Sequence, residues 1–344
     1  MEGSAQRRAA VCAYAAMRAG AALEPYAYAS PELGAMDVDI EISHSGICHS
    51  DLHLIDNDWG VSSYPLVPGH EIVGTVSRVG TAVAELREGQ RVGVGWLAGA
   101  CLECAQCRRG EENLCRQAQP TCVGREGGYA TRIRVDSRFA VVIPDSLSSE
   151  AAAPLLCAGI TVFAPLRRAA LKTEAFLGVI GIGGLGHLAI QYGKAMGCRV
   201  IAFSGSAAKA AEAQRFGAER FVVTSKRGAL DAEAGSCDFL LSTVPADLPW
   251  TAYLNLLKPN GSLCIVGASP GEFKVPVVAL IDGQKNVGGS AVGSNAEMRA
   301  MLKFSAEHNI APMVELFEMK DVNRALDRLR GNHLRYRAVL TNRI

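Results

Sequence analysis

The stretch Phe176-Leu177-Gly178-Val179-Ile180-Gly181-Ile182-Gly183-Gly184-Leu185-Gly186-His187 decides how this chain is read. An apolar run ends in glycines spaced Gly181-x-Gly183-x-x-Gly186, and a helical pattern follows at once over residues 184–196. Glycines so placed permit a tight turn and let the backbone approach a pyrophosphate, which the N-terminus of the next helix attracts. The spacing alone is weak, since an ordinary strand-to-helix turn can share it. Its context strengthens it: 176–182 reads as a strand, 199–203 as the next strand and 209–216 as the next helix. Residues 239–243 and 262–267 then read as further buried strands. Such alternation predicts a parallel, doubly wound sheet.

Outside this stretch the texture changes. The first 150 or so residues carry short strand-like runs, at 38–43, 72–79 and 91–94, separated by glycines and prolines. The tail reads as one helix, 322–330, and one strand, 336–341. The pattern implies a β-rich domain, an inserted nucleotide-binding domain and a return to the first. A length of 344 residues suits two domains, and 49% hydrophobic residues supply their cores. The net charge of +1, with no long charged block, argues against nucleic acid or an anionic membrane as partner. Residues 1–22 are Ala-rich with Arg7 and Arg8, which invites a leader-peptide reading. Arg18 interrupts that run, and the alternation Val11, Ala13, Ala15 before Gly20 fits a first strand and turn after a short unstructured start. The apolar run 176–190 is broken by five glycines and a histidine and makes a poor membrane span. A soluble, cytoplasmic protein is expected.

Of eleven cysteines, Cys12, Cys122, Cys198, Cys237 and Cys264 stand singly and read as small buried hydrophobes. Reduced thiols suit a cytosolic compartment. The other six fall into metal-like groups. Cys101-x2-Cys104-x2-Cys107-x7-Cys115 places four thiols where one loop can wrap a tetrahedral ion. Four thiolates fill the zinc coordination shell, so this ion would be structural. An iron–sulfur cluster is the rival, but the spacing differs from common ferredoxin runs, and a second metal site tilts the choice to zinc. That second site would use Cys48, His70 and Cys157, leaving a fourth position for water or a substrate oxygen. Zinc so held could polarise a carbonyl or acidify an alcohol. Spacing alone does not bring these three residues together.

The motifs Gly46-Ile47-Cys48-His49-Ser50-Asp51, Tyr64-Pro65-Leu66-Val67-Pro68-Gly69-His70-Glu71, Pro154-Leu155-Leu156-Cys157-Ala158-Gly159, the four-cysteine cluster and the glycine-rich turn closely resemble the zinc-dependent medium-chain alcohol dehydrogenases. The likeness is to their cinnamyl-alcohol-dehydrogenase-like branch, and within it to bacterial broad-range NADPH-dependent aldehyde reductases. It spans essentially the whole chain. It implies an α/β protein with a GroES-like β-rich catalytic domain (1–155), an NADP-binding Rossmann domain with a doubly wound parallel sheet (156–305) and a return to the catalytic domain (306–344). It implies two Zn2+ per chain, with Cys48, His70 and Cys157 as catalytic ligands and Glu71 as an alternate ligand. Asp51 matches a carboxylate that hydrogen-bonds the far nitrogen of the metal-bound imidazole. Ser50 and His53 match a proton relay, a task suited to a group that titrates near neutrality. His44, His308 and His333 have no such context.

The strand after the glycine-rich turn ends Ala202-Phe203-Ser204-Gly205-Ser206-Ala207-Ala208-Lys209. An NAD-binding chain usually carries an acid there for the ribose 2′-hydroxyl. Here two serines and Lys209 suit a 2′-phosphate instead, and matching family positions bind it, so NADP(H) is expected. The resemblance also implies cofactor contacts from His49, Thr161, Gly181, Gly183, Gly184, Leu185, Gly186, Thr243, Gly267, Ser290 and Arg337. It places Trp59 and Trp96 in the substrate pocket, although tryptophans in a β-rich domain often serve the core. The expected reaction is hydride transfer between NADPH and aldehydes or primary alcohols, by a homodimer with a small-molecule substrate. The alternatives are a polyol or other zinc alcohol dehydrogenase, or a nucleotide-binding sensor without chemistry.

Overall fold

The computed structural model describes residues 10–30, 32–268 and 271–342. The expectation for the start of the chain lies outside them. The chain divides into two compact units: 1–157 with 294–306 and 313–344, and 158–293 with 307–312. Residues 294–305, expected within the nucleotide-binding stretch, cluster with the first unit. The helix Asn295–Glu307 is tied there, because the Asn295 amide side chain donates to the Arg138 carbonyl at 3.0 Å and Met298, Met301 and Leu302 are buried.

The spine of the first unit is the eleven-residue strand Asp37–Ile47. It pairs antiparallel with Ile72–Val79 along most of its length, with Arg132–Asp136 at its start and with Arg337–Thr341 at its end. Val314–Glu318, Arg91–Val94 and Val141–Val142 complete a seven-stranded sheet. Val38, Ile40, Ile42 and Ile47 of the spine enter a core shared with Leu54, Ile72, Val92 and Leu340. The opening strand Ala10–Ala16 buries Val11, Ala13 and Ala15, as its alternation predicts, and pairs with Leu23–Ala29. Cys12, on the opposite face of that strand, is exposed, which corrects the expectation that the scattered cysteines are all buried. Cys122, Cys198, Cys237 and Cys264 are buried.

In the second unit six parallel strands lie in the order Arg220–Val223, Arg199–Ser204, Phe176–Ile180, Cys237–Ser242, Leu257–Ile265 and Asn286–Gly289. The chain builds outward from the central strand Phe176–Ile180, first to one side and then to the other, which is the doubly wound order. Leu177, Val179 and Ile180 are almost wholly buried, and each such burial stabilises by about 1.5–3 kcal/mol. The central strand stops at Ile180, not 182, because Gly181 turns the chain at φ +87°. The helix starts at Gly186, where a β-carbon would sit 1.8 Å from the Gly181 carbonyl oxygen. Leu257–Ile265 begins five residues earlier than expected. The turn-like Lys258-Pro259-Asn260-Gly261 stays in the strand, with Asn260 at φ +63° and its N–H bonded to the Gly283 carbonyl at 2.7 Å.

Among the described residues one helical run, Ser149–Ala169, is long and apolar enough to cross a membrane by length and composition. Its most apolar window is 78% buried inside the protein, as in a core helix.

Candidate active site

Cys48 immediately follows the spine strand and caps the helix His49–Asp56. His70 and Glu71 immediately precede the neighbouring strand Ile72–Val79. Cys157 lies in a π-helical turn, Leu155–Gly159, that widens the run between Ser149–Pro154 and Ile160–Ala169. Such turns often mark functional positions because they displace one side chain from the helical register. The ligand atoms of Cys48, His70, Glu71 and Cys157 all lie within 4.8 Å of one another. Of the four, Cys157 alone keeps an exposed edge. The structure thus unites the three residues that spacing could not.

Asp51 organises this cluster. Its carboxylate is fully buried and accepts the Cys48 N–H at 2.8 Å, the Gly69 N–H at 3.0 Å and the Tyr129 hydroxyl at 3.0 Å. One oxygen also faces His70 Nδ1 at 3.0 Å. This contact commits Nδ1 and leaves Nε2, buried and without a hydrogen-bond partner among the described residues, free to ligate a metal. Glu71 Oε2 is likewise buried and unpartnered, while Oε1 pairs with the buried Arg337 guanidinium.

The electrostatics favour a cation. The facing Cys157 sulfur, against the cost of burial, pulls the Cys48 thiol well below its ordinary range. Cys48 and burial push Cys157 well above it. Burial alone would depress His70, but Asp51 and then Cys157 outweigh it and raise the imidazole well above its usual value. Burial lifts the Glu71 carboxyl to about 7 against the pull of Arg337. Two sulfurs, an imidazole with an orphaned nitrogen and a buried carboxylate with one unpartnered oxygen fit a divalent, borderline-soft ion such as zinc.

The four other cysteines form a second donor group, also within 4.8 Å of one another. Cys115 Sγ lies 3.5 Å from Cys101 Sγ, and Cys107 Sγ 3.9 Å from it. Backbone amides point at the sulfurs: Cys104 N–H at Cys101 Sγ (3.4 Å) and Gln117 N–H at Cys115 Sγ (3.3 Å). Hydrogen bonds from the Glu103 and Cys104 amides lower Cys101 to about 6. Desolvation and the neighbouring sulfurs raise Cys107 to about 12. Four thiolates cannot coexist here without a cation.

Ser50 and His53 follow Cys48 on its helix. The Ser50 hydroxyl is 3.7 Å from Cys48 Sγ. His53 Nδ1 meets Asp58 Oδ2 at 2.7 Å, a partner that sequence reasoning missed. An aromatic row follows: His53 lies 5.1 Å from Trp59, Trp59 meets Trp96 edge-on at 6.2 Å, and Trp96 meets His70 edge-on at 5.0 Å. Trp59 is exposed and Trp96 partly so. His49 is the exposed first residue of the helix. Tyr129 and Cys122 were also missed as neighbours of the site. No motif spacing announces them, because both reach it from a loop that returns to the sheet.

In the second unit, most of the expected cofactor residues fall at the carboxyl ends of the parallel strands. Gly181, Gly183, Gly184 and Leu185 form the turn after Phe176–Ile180, and Gly186 opens the next helix. Ser204 ends Arg199–Ser204, and its hydroxyl accepts the Ser206 N–H at 3.3 Å. Lys209 Nζ donates to the Ile182 carbonyl at 2.7 Å, which sets the ammonium over the glycine-rich turn. Thr243 donates to the carbonyls of Ile180 and Gly181 at 3.1 and 2.9 Å and braces the same turn. Gly267 follows Leu257–Ile265, and Ser290 follows Asn286–Gly289, where its hydroxyl accepts from Arg168. Thr161 sits in the first turn of Ile160–Ala169. In open α/β sheets this strand-end edge is where ligands bind.

The model of the alcohol dehydrogenase GroES-like domain matches residues 34–145, and that of the zinc-binding dehydrogenases matches 184–307. An aldehyde reductase, AdhA, of Synechocystis sp. is 42% identical over 330 residues, covering 96% of this chain and 98% of the relative. Cinnamyl alcohol dehydrogenase 2 of Arabidopsis thaliana is 43% identical, covering 92% and 88%. A cinnamyl alcohol dehydrogenase from Sorghum bicolor superposes with a TM-score of 0.94 at 40% identity, covering 97% of this chain and 98% of the other. One from Helicobacter pylori, solved in complex with NADP(H), gives 0.91 at 32% identity with the same coverage.

Proposed function

Since the chain belongs to the zinc-dependent medium-chain alcohol dehydrogenase family, in its cinnamyl-alcohol-dehydrogenase-like branch, we propose that it reduces aldehydes to primary alcohols with NADPH. Cys48, His70 and Cys157 would hold the catalytic zinc, with Glu71 as an alternate ligand. Cys101, Cys104, Cys107 and Cys115 would hold a second, structural one. The observation that carries this reading is the convergence of Cys48, His70 and Cys157 beside a buried imidazole nitrogen without a hydrogen-bond partner among the described residues.

When bound, zinc supplies Lewis-acid polarisation of the aldehyde oxygen and NADPH supplies the hydride. The chain's own groups do the rest. Asp51 keeps His70 in the tautomer that presents Nε2. The Ser50 hydroxyl, 3.7 Å from Cys48 Sγ, would donate a proton toward the reacting oxygen. His53 resupplies it, and Asp58, bonded to Nδ1, leaves Nε2 of that ring to carry the proton. Trp59 and Trp96 would line the substrate pocket. At the strand-end edge, Gly181, Gly183, Gly184, Leu185 and Gly186 would cradle the pyrophosphate, with Thr161, Thr243, Gly267 and Ser290 along the dinucleotide; His49 and Arg337 would make further cofactor contacts. Ser204, Ser206 and Lys209 would take the 2′-phosphate. The missing acid at that strand end, the ammonium over the turn and the NADP(H) of the Helicobacter relative all support this choice.

The reading extends to a cytoplasmic homodimer. All eleven cysteines are free, which suits a reducing compartment. Val277, Val278 and Ile281 are 72, 66 and 70% exposed, close in sequence to Asn286–Gly289, the strand that ends the sheet order. An apolar, open sheet edge suits pairing with a second copy. Light scattering at twice the 36.4 kDa chain mass is expected; a monomer at micromolar concentration contradicts it.

The decisive experiment combines metal analysis with initial rates for an aldehyde panel using NADPH and NADH. Two zinc ions per chain and a strong NADPH preference are expected. Cys48→Ala and His70→Ala should each abolish turnover with little loss of NADPH binding. Near-normal rates in either variant after chelation would sink the zinc mechanism.

A further inference from the structure

The four-cysteine lobe hangs from a two-stranded stem. Leu97–Gly99 leads into Cys101, Gln119–Pro120 returns from Cys115, and the two pair antiparallel. The other end of this stem abuts His70. Trp96, one residue before the outgoing strand, meets the His70 ring edge-on at 5.0 Å. Thr121, one residue after the returning strand, is fully buried, donates its N–H to the Trp96 carbonyl at 2.7 Å and its hydroxyl to the Gly95 carbonyl at 2.7 Å. Cys122 follows, fully buried at φ +63°, a conformation residues with a β-carbon rarely adopt. Its sulfur lies within 4.8 Å of ligand atoms of both His70 and Asp51.

The chain then runs back along the His70 segment. Gly127, Gly128 and Tyr129 donate their N–H groups to the carbonyls of Val67, Gly69 and Pro68 at 2.9, 2.8 and 2.9 Å. Gly69 makes this approach possible, since at its φ of +103° a β-carbon would stand 2.6 Å from the Tyr129 ring. Tyr129, fully buried, closes the loop by donating its hydroxyl to Asp51 Oδ2 at 3.0 Å. Of the side chains on the Asp51 carboxylate, Tyr129 is the one that is neither a proposed ligand nor bonded to one.

We propose that this loop is the positioning device of the catalytic metal site: Tyr129 fixes Asp51, Asp51 fixes the ring of His70, and an ordered four-cysteine lobe holds the loop in place. This rests on the reading of Cys48, His70 and Cys157 as metal ligands. Without the Tyr129 hydroxyl, Oδ2 keeps only the Cys48 N–H, and the carboxylate gains freedom to rotate away from His70. Loss of a partner outside the ligand set typically weakens metal binding about 10- to 100-fold, and Tyr129, one bond further out, belongs at the lower end. An emptied lobe acts on Trp96, Cys122 and Tyr129 together and has the larger effect.

The test titrates the metal-free full chain with cobalt(II) against a competing chelator and follows the sulfur-to-cobalt absorption. Cys48→Ser identifies the part of the spectrum that belongs to the catalytic site. Tyr129→Phe should bind cobalt there about tenfold more weakly and with a shifted band, while the lobe loads as before. Cys104→Ser, which impairs the lobe, should weaken the catalytic site further. If both variants fold and load that site with wild-type affinity and spectrum, the proposal is overturned. If Cys104→Ser does not fold, Tyr129→Phe decides alone. If no wild-type band responds to Cys48→Ser, the metal reading itself fails and takes this proposal with it.

Discussion

Cys101, Cys104, Cys107 and Cys115 come from one loop, whereas Cys48, His70 and Cys157 come from the end of a long strand, the approach to its neighbour and a widened helical turn. The first group needs little chain closure to assemble. Its sulfurs are partly exposed apart from Cys115, and backbone amides are their main orienting contacts. A metal arriving there can shape the loop around itself. The second group exists only once the sheet has formed, and its members are fixed by other side chains before any ion arrives. Loop geometry in the first case follows the metal. In the second the protein dictates the geometry, as the proposed catalytic site, with one coordination position kept open, would require.

Asp51 is where this contrast can be broken most severely. Asp51→Ala removes the acceptor of two backbone N–H groups and one hydroxyl in a fully buried setting. Each stranded donor costs about 1–3 kcal/mol, so a loss of about 3–5 kcal/mol in urea unfolding is expected. Metal analysis should then find about one ion per chain, held by the four cysteines. Should the variant retain two ions and wild-type stability, the open site is not preorganised by Asp51, and the contrast between the clusters disappears.

The same contrast explains what could be read from the sequence. The four-cysteine group, the glycine-rich turn and the strand Ile72–Val79 are local patterns, and the strand and the helix Val322–Arg330 have the bounds that periodicity predicts. The doubly wound sheet was legible because four of its six strands stand out as short apolar runs between turn signals, whereas the short edge strands Arg220–Val223 and Asn286–Gly289 were not read. Cys157 was not legible from spacing. Its place depends on a π turn in a run with prolines at 154 and 165, and only resemblance pointed to it. Tyr129, Cys122 and Asp58 escaped even the resemblance. Their partners are chosen by the return path of a loop, or by the turn after a short helix, and neither leaves a periodic trace. Cys12 was misjudged because an apolar neighbourhood in sequence does not say which face of a strand a residue occupies.

The smallest effect, and the sharpest question about the open site, concerns Asp58. It stands outside the buried cluster, 53% exposed, and touches the proposed chemistry only through His53 Nδ1 at 2.7 Å. General acid–base groups typically contribute 10²–10⁴-fold. A partner that merely orients one should be worth about three- to tenfold in kcat. Asp58→Asn should therefore lower kcat by that factor with NADPH binding and metal content unchanged, since nothing in the ligand set depends on it. The double mutant separates orientation from a general surface-charge effect. If Asp58 acts through the imidazole, Asp58→Asn should cost nothing further once His53 is alanine, because the coupling energy then equals the whole single-mutant effect. Additive losses would mean that the carboxylate acts on the reaction by another route, and that the chain of groups leading outward from Ser50 ends at His53.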